Sequence, residues 1–410
     1  MRRQPLVSTV TFIATVMTIF LFMVVVITTR VRTIPFSPES CRDRLLIGQY
    51  IHIKPIDGNG DSSGGMSIGT ARRLYGDLDG IENISYFEEL GVTTAGGTFE
   101  KDFDAYTRNV DAGFFKVFDH PLVSGRYFTP EEAASNIPMV VISERTARRA
   151  FGTTECAGQT ININHKNYTV TGVVKDHSFL ATNACGDIFK AKGYDDNITS
   201  DNYFGGTMVA MTVKDGVSFD YIRNQVKARY AAADAELAPN NQKTVYHEGP
   251  FDQATIAGGI PGSNNTPDNS QDEFLQYLLY AVLLIVPAIN LSSLLHSRMR
   301  KRISEIGVRR AFGCTRLRVV TDIIWENFMI TLAGGIAGVG LGIVFAMNYS
   351  SLYENMETYG SGVTPALGSV INWGTIAIAV VVCFILNIIS ASVPAWQASR
   401  LNPVAAINSK

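Results

Sequence analysis

The sequence predicts a multi-domain membrane protein with four transmembrane α-helices. A large mixed α+β extracytoplasmic domain is expected between the first and second. Three observations carry this reading. Four apolar stretches reach the roughly 20 residues that cross a bilayer: Val7 to Ile27, Phe274 to Leu295, Ile323 to Met347 and Ile371 to Val393. Basic residues gather on one side of these stretches. Between the first and second stretches, strand-like and helix-like runs alternate as in a folded domain.

The first stretch follows Arg2 and Arg3. A signal peptide has the same basic start and apolar centre. Here no small-x-small cleavage site follows and the apolar centre is too long, so a retained anchor is expected. The second stretch carries no charge, and the third has Glu326 near its start. Arg298, Arg300, Lys301, Arg302, Arg309, Arg310, Arg316 and Arg318 lie between the second and third, whereas Asn348 to Val370 has no Lys or Arg. The positive-inside rule then places the basic segment and both termini in the cytoplasm. The expected domains are residues 1–29, the short start and first span; 30–271, the external domain; and 272–410, three further spans.

Composition agrees. Of 410 residues, 46% are hydrophobic and only 18% charged, below the soluble norm of about 25%. The net charge of −2 argues against a nucleic-acid partner. Cys41, Cys156 and Cys185 fall outside the membrane, where disulfides persist. A Cys156–Cys185 pair is one expectation, and three free thiols are the other.

Within 30–271, Leu45 to Ile53 reads as a strand and Thr70 to Leu78 as a helix. Met139 to Ile142 is a buried-strand run, Ser143 an N-cap for Glu144 to Phe151, and Gly152 the stop. Ile161 to Ile163 and Tyr168 to Val174 flank "NHKN" and predict a hairpin. Met208 to Val213 is a strand, Phe219 to Leu237 a helix and Thr244 to His247 a last strand. Ala257 to Gln271 is a linker.

Candidate chemistry is sparse. "DGNGD", Asp57 to Asp61, echoes a calcium loop, but Ser62 replaces the turn glycine and Ile68 the bidentate Glu. The six histidines show no metal-ligand spacing, and there is neither GxxxxGK[ST] nor HExxH. The GVGLG at Gly338 to Gly342 lies inside a span. No cofactor, metal or catalytic residue is therefore expected, and the chain is read as non-enzymatic. In the third span Gly334, Gly338 and Gly342 share one helix face. They predict close packing against a neighbouring helix, although glycine is also simply tolerated in membrane helices.

"KRISEIGVRRAFGCTRLRVV", Lys301 to Val320, parses as helix, break and helix. Ile303, Ile306, Gly307 and Arg310 share a face, Gly313 is a C-cap, and Thr315 caps the next helix. Lipid headgroups would attract its cations. They would not require Glu305, Gly307 and Gly313 at these places.

That stretch resembles the cytoplasmic segment of FtsX/MacB-type permeases of ABC transporters, through Glu305, Ile306, Gly307, Arg309, Arg310, Ala311 and Gly313. "PAWQASRLNPVAAI" resembles the close of that family, through Pro394, Ala398, Asn402, Pro403 and Ala406. "GFFKVFDHPLVSGRYF", "MVVISERTARRAFG" and "GQTININHKNYTVTGVVKD" resemble its extracytoplasmic domain. The resemblance covers nearly the whole chain. It implies a non-catalytic permease subunit in a bacterial inner membrane, with the large domain in the periplasm. It also implies a homo- or heterodimer with a like permease. A cytoplasmic ATPase subunit would use the ATP and dock on a coupling helix, Ser304, Glu305, Ile306, Gly307, Arg309, Arg310, Ala311 and Gly313. Movement relayed to the outside would export or extract a hydrophobic or peptide-like cargo, with a periplasmic adaptor and an outer-membrane channel as further partners. The alternative is a signalling protein that activates an external partner such as a cell-wall hydrolase. These 410 residues contain no ATPase domain, so the ATPase is expected on a separate chain. Trp396 and Ala405 depart from the basic and acidic residues frequent in relatives, and Phe179 to Phe204 is short for a cargo-contacting subdomain.

Overall fold

No charge interrupts the apolar run from Pro5 until Arg30, and these residues form one helix, α1 (Pro5–Arg30). The computed structural model describes residues 5–135, 137–193, 203–258 and 312–356. It also describes individual residues between 274 and 308 and between 374 and 385. Among the described residues, two helical segments are long and apolar enough to cross a membrane, Phe12–Arg30 and Leu317–Tyr349. The expected second and fourth spans lie largely outside the described residues.

The helix Arg316–Met356 packs against α1 along the glycine face. A Cβ on Gly334 would lie 3.0 Å from Thr15 Cβ. On Gly338 it would lie 2.9 Å from Ile19 Cβ, and on Gly342 2.8 Å from Met23 Cβ. Residues four apart on one helix meet residues four apart, in the same order, on the other. The two helices therefore run parallel. Phe20 and Phe345 meet edge to face at 6.2 Å. The Thr29 hydroxyl lies 3.1 Å from that of Tyr280 in the expected second span.

The second unit is the α+β domain. It contains β1 (Leu45–Gly48), β2 (Tyr50–Pro55), β3 (Ser62–Gly65), α2 (Ile68–Tyr75), β4 (Ile81–Glu88), β5 (Gly91–Gly96), β6 (Phe103–Val110), α3 (Phe114–Val117), β7 (Leu122–Gly125), α4 (Pro130–Ala134) and β8 (Met139–Ser143). It continues with α5 (Glu144–Phe151), β9 (Thr160–Ile163), β10 (Lys166–Val174), β11 (Ile188–Ala191), β12 (Thr207–Val213), α6 (Phe219–Leu237), β13 (Gln242–Thr244), β14 (Phe251–Asp252) and α7 (Gln253–Ala257).

Two lobes share these elements. In the first, β4, β12, β1 and β14 form a sheet covered by α2 and α6, with β13, β2 and β3 as a separate three-stranded sheet. Leu46, Ile51, Leu74, Val209, Met211, Ile222 and Val226 fill its core. Each such side chain contributes about 1.5–3 kcal/mol when fully buried. In the second lobe, β11, β8, β10, β9, β5 and β6 close into a ring, because β11 pairs parallel with β6. Phe103, Val140, Ile142, Ile161, Val170 and Ile188 fill it, and Ala147 and Ala150 of α5 join them.

The local signals act as physical chemistry dictates. Ser143 accepts from the Thr146 N–H and starts α5, and Gly152 ends it at φ 73°. Asn164 and His165, at φ 48° and 65°, form the tight turn between β9 and β10. The single strand expected from Leu45 to Ile53 is instead two strands in different sheets. The ring of Tyr75 lies over Gly48, where a Cβ would be 2.7 Å from its Cζ, and the chain changes sheet there. The strand expected at Thr244 to His247 also ends at Thr244, and His247 turns back over β2.

The lobes join where Phe87 of β4 pairs with Val110 of β6. Asp111 fixes this joint by accepting from the Ser85 hydroxyl at 2.8 Å and the N–H groups of Tyr86 and Phe114, each at 3.0 Å. Phe87, Phe114, Phe118, Phe189, His120 and His177 form an aromatic cluster beside it. Both nitrogens of His120 and Nδ1 of His177 are buried without a well-formed hydrogen bond. Burial holds His177 down at about 4 and His120 well below the ordinary 6.5.

A neutral buried histidine takes up its proton only on unfolding. Stability present above pH 6.5 is therefore lost as the pH falls towards 4. For His177 that interval corresponds to about 3 kcal/mol. Asp111 works in the opposite sense, since burial pushes its carboxyl up to about 6. A comparison with His177→Gln isolates the histidine, because Gln can still accept from Gly186 N, 3.1 Å from His177 Nε2. Denaturation of both proteins across this range should show the wild type losing about 3 kcal/mol more than the variant. Parallel curves would refute the assignment.

Candidate functional site

The chain leaves α1 at Arg30 and is pinned within a dozen residues. Arg42 and Glu39, three apart around a short 3₁₀ turn, are 1% and 0% exposed in their side chains and pair at 2.6 Å. Arg42 Nη1 donates to the carbonyls of Val31 at 2.9 Å and Ile34 at 3.1 Å. Its Nη2 donates to Leu180 O at 2.8 Å. Glu39 Oε1 accepts from the N–H groups of Asn183 at 2.8 Å and Ala184 at 3.0 Å. Each guanidinium nitrogen and both carboxylate oxygens have a partner, as a buried ion pair requires.

The loop Ser178–Cys185 is the hub. Arg108 of β6 grips its other side, donating to the carbonyls of Cys185 and Thr182, each at 3.2 Å. Burial lowers the Arg108 pKa, although a guanidinium stays charged in a protein. Asn183 donates to Gln253 of α7 at 3.2 Å, and Gln253 donates to Arg32 O at 2.8 Å. The segment that follows α1 in the chain and α7 therefore meet at one buried joint. The loop then runs directly into β11 of the closed lobe.

Of the sequence-predicted coupling helix, Ser304, Glu305, Ile306, Gly307, Arg309, Arg310 and Ala311 lie outside the described residues. Gly313 takes φ 91°, the left-handed conformation of a helix stop. It follows a turn in which Phe312 N bonds Val308 O at 3.1 Å. Thr315 accepts from Arg318 N at 3.4 Å, which starts the long helix. Gly334, Gly338 and Gly342 face α1, as described above.

The disulfide expected between Cys156 and Cys185 is not formed, and both are free thiols. Cys156 packs in the core of the closed lobe. Cys185 sits against Arg108 and donates to Thr182 O at 3.6 Å. Burial pushes both thiols up to about 11, so neither is a ready thiolate. Among the described residues, no three or more His, Cys, Asp or Glu converge as a metal site. Sequence reasoning missed Glu39, Arg42, Asn183 and Gln253. Their partnership spans more than 200 positions and has no local signature.

The chain matches the models of the MacB-like periplasmic core domain over residues 8–229 and of the FtsX-like permease C-terminal region over 277–403. It is 22% identical to the ABC transporter permease YknZ of Bacillus subtilis over 81% of this chain and 78% of that protein. It is 24% identical to the macrolide export ATP-binding/permease protein MacB of Bdellovibrio bacteriovorus over 81% of this chain. It is 27% identical to a pyoverdine export ATP-binding/permease protein of Pseudomonas savastanoi over 75% of this chain. The chain spans less than half the length of these two ATP-binding/permease relatives, 49% and 43%. The periplasmic region of MacB from Actinobacillus actinomycetemcomitans matches with a TM-score of 0.35 and 17% identity, over 51% of this chain and 90% of that one. With both halves matched to consecutive models of one architecture, the chain belongs to the MacB/FtsX-like family of ABC transporter permeases.

Proposed function

We propose that this chain is the non-catalytic permease subunit of an ABC transporter. A separate cytoplasmic ATPase hydrolyses ATP, and the chain relays the resulting movement to its extracytoplasmic domain. The buried Glu39–Arg42 joint carries this reading. It ties Val31 and Ile34, which follow α1 in the chain, to loop Ser178–Cys185 through charge-assisted bonds, and Asn183 of that loop bonds Gln253, so movement of this segment would be passed towards β11 rather than absorbed by a slack linker. The names of the relatives, exporters of a macrolide and of pyoverdine, favour export or outer-leaflet extraction of a hydrophobic or peptide-like cargo.

The working unit is a homo- or heterodimer of like permeases in the bacterial inner membrane. It has four spans per chain, both termini in the cytoplasm and the large domain in the periplasm, with an adaptor and an outer-membrane channel as further partners. The ATPase docks on Ser304 to Gly313. Proline at Gly313, or charge reversal at Glu305 together with Arg309, is expected to uncouple ATP hydrolysis from transport while the chain still inserts. Transport per ATP hydrolysed, measured with the ATPase present, checks this. Wild-type coupling in those variants would remove the docking assignment.

A further inference from the structure

His52 on β2 and His247 beyond β13 are 195 positions apart, yet His52 Nδ1 lies 2.9 Å from His247 Nε2. Their rings are coplanar within 1°, with centroids 5.2 Å apart. That separation is the nitrogen–nitrogen distance plus one ring radius at each end, so the rings meet edge to edge, nitrogen to nitrogen. On the far side of His52, Nε2 lies 3.1 Å from Asp61 Oδ2. Three titratable groups thus stand in a row with two gaps, and each gap holds one proton.

The proton count decides what the row can do. With both histidines neutral, His247 donates to His52, and His52 donates to Asp61. One further proton makes His52 an imidazolium that donates both ways, with the Asp61 carboxylate beside it. The row then survives with His247 as acceptor in its other tautomer. One more proton puts N–H on both facing nitrogens and a positive charge on both rings. A 2.9 Å gap cannot hold that arrangement.

We propose that Asp61, His52 and His247 form an acid-opened clasp, in which protonation of both facing imidazoles releases the connection between β13 and β14 from β2. The surroundings favour opening over reinforcement. Burial, then the charges of His52 and Lys54, hold His247 below its ordinary range. Lys243 pairs with Lys54 in register and adds a second cation beside the clasp. The acids nearby are Asp61 and Asp57 on the loop before β3, and Glu248 next to His247. The released segment is tied to the fold by few other bonds. Val245 N donates to His52 O at 2.8 Å, the Tyr246 hydroxyl shares its one proton between the carbonyls of Gly249 at 2.7 Å and Arg223 at 3.1 Å, and Arg223 Nε donates to Pro250 O at 3.2 Å. It leads through β14 to Gln253, so an acidic exterior would loosen the chain on its way back to the membrane. The clasp does not depend on the transport reading.

Hydrogen exchange of the full chain in detergent, between about pH 7 and pH 5, tests it. After correction for intrinsic exchange, protection of the amides from Val245 to Gly249 should fall at least about tenfold in the wild type. It should stay flat in His247→Gln, which cannot take the second charge. Asp61→Asn should move the fall to lower pH, because without the carboxylate the imidazoles take up their protons less readily. Flat protection in the wild type, an equal fall in His247→Gln, or an unmoved midpoint in Asp61→Asn would each overturn the clasp.

Discussion

Arg42→Ala should destabilise the extracytoplasmic domain by about 3–5 kcal/mol, the cost of leaving a buried carboxylate without its cation. Glu39 is fully buried and would keep only the two N–H bonds from Asn183 and Ala184. Thermal unfolding of the purified chain would read the loss. Hydrogen exchange would place it, with the amides of Ser178 to Cys185 losing protection first. Glu39→Gln with Arg42→Met separates structure from relay. Gln keeps an oxygen for Asn183 and Ala184, Met fills the space beside Phe36, and the buried charge is gone. This pair should regain part of the stability. It should not regain coupling, because nothing then holds the carbonyls of Val31, Ile34 and Leu180 together. A double variant that is stable and fully coupled would reduce the joint to a structural support.

The features legible in the sequence are those with local causes. The helix Phe219–Leu237 is announced by Tyr221, Val226 and Tyr230 at roughly helical spacing, although Tyr221 turns out to be exposed and Ile222 takes its place on the buried face. The strand–helix unit from Met139 to Gly152 is announced by Ser143 and Gly152. The hairpin around Asn164 follows from residues that tolerate positive φ. What failed to show depends on distant partners. Gly48 breaks one apparent strand into two only because the Tyr75 ring arrives from α2. His52 and His247 have no meaningful spacing until β13 pairs with β2. Glu39 and Arg42 look like two solvated charges in a loop, and only the approach of Leu180, Asn183 and Ala184 makes them a joint. The family motifs pointed to the cytoplasmic coupling segment. They do not include Glu39, Arg42, Asn183 or Gln253, which the structure brings together.

Gly338→Ile should part α1 from the long helix at the glycine face while leaving both helices formed. Its Cβ would lie 2.9 Å from Ile19 Cβ and 2.9 Å from Val16 O. The side chain could rotate away, but the carbonyl belongs to a helix backbone and cannot. Overpacking of this kind costs about 1–3 kcal/mol in a well-packed core. Inside a bilayer the loss weighs more, because contact itself, rather than hydrophobic burial, holds the helices together. Gly340→Ile is the control, since a Cβ there meets nothing within 4 Å. A Thr15→Cys, Gly334→Cys pair reports the approach, as the two Cβ positions lie 3.0 Å apart, close to the roughly 3.5–4.5 Å that a disulfide bridges. Oxidative cross-linking in membranes should be efficient alone and with Gly340→Ile, and should collapse with Gly338→Ile. If the relay runs through α1 into the Glu39–Arg42 joint, transport should fall with the cross-link while ATP hydrolysis by the partner continues. Unchanged cross-linking in Gly338→Ile would mean that the face does not set the distance between these helices, and the proposed relay would lose α1 as its first rigid element.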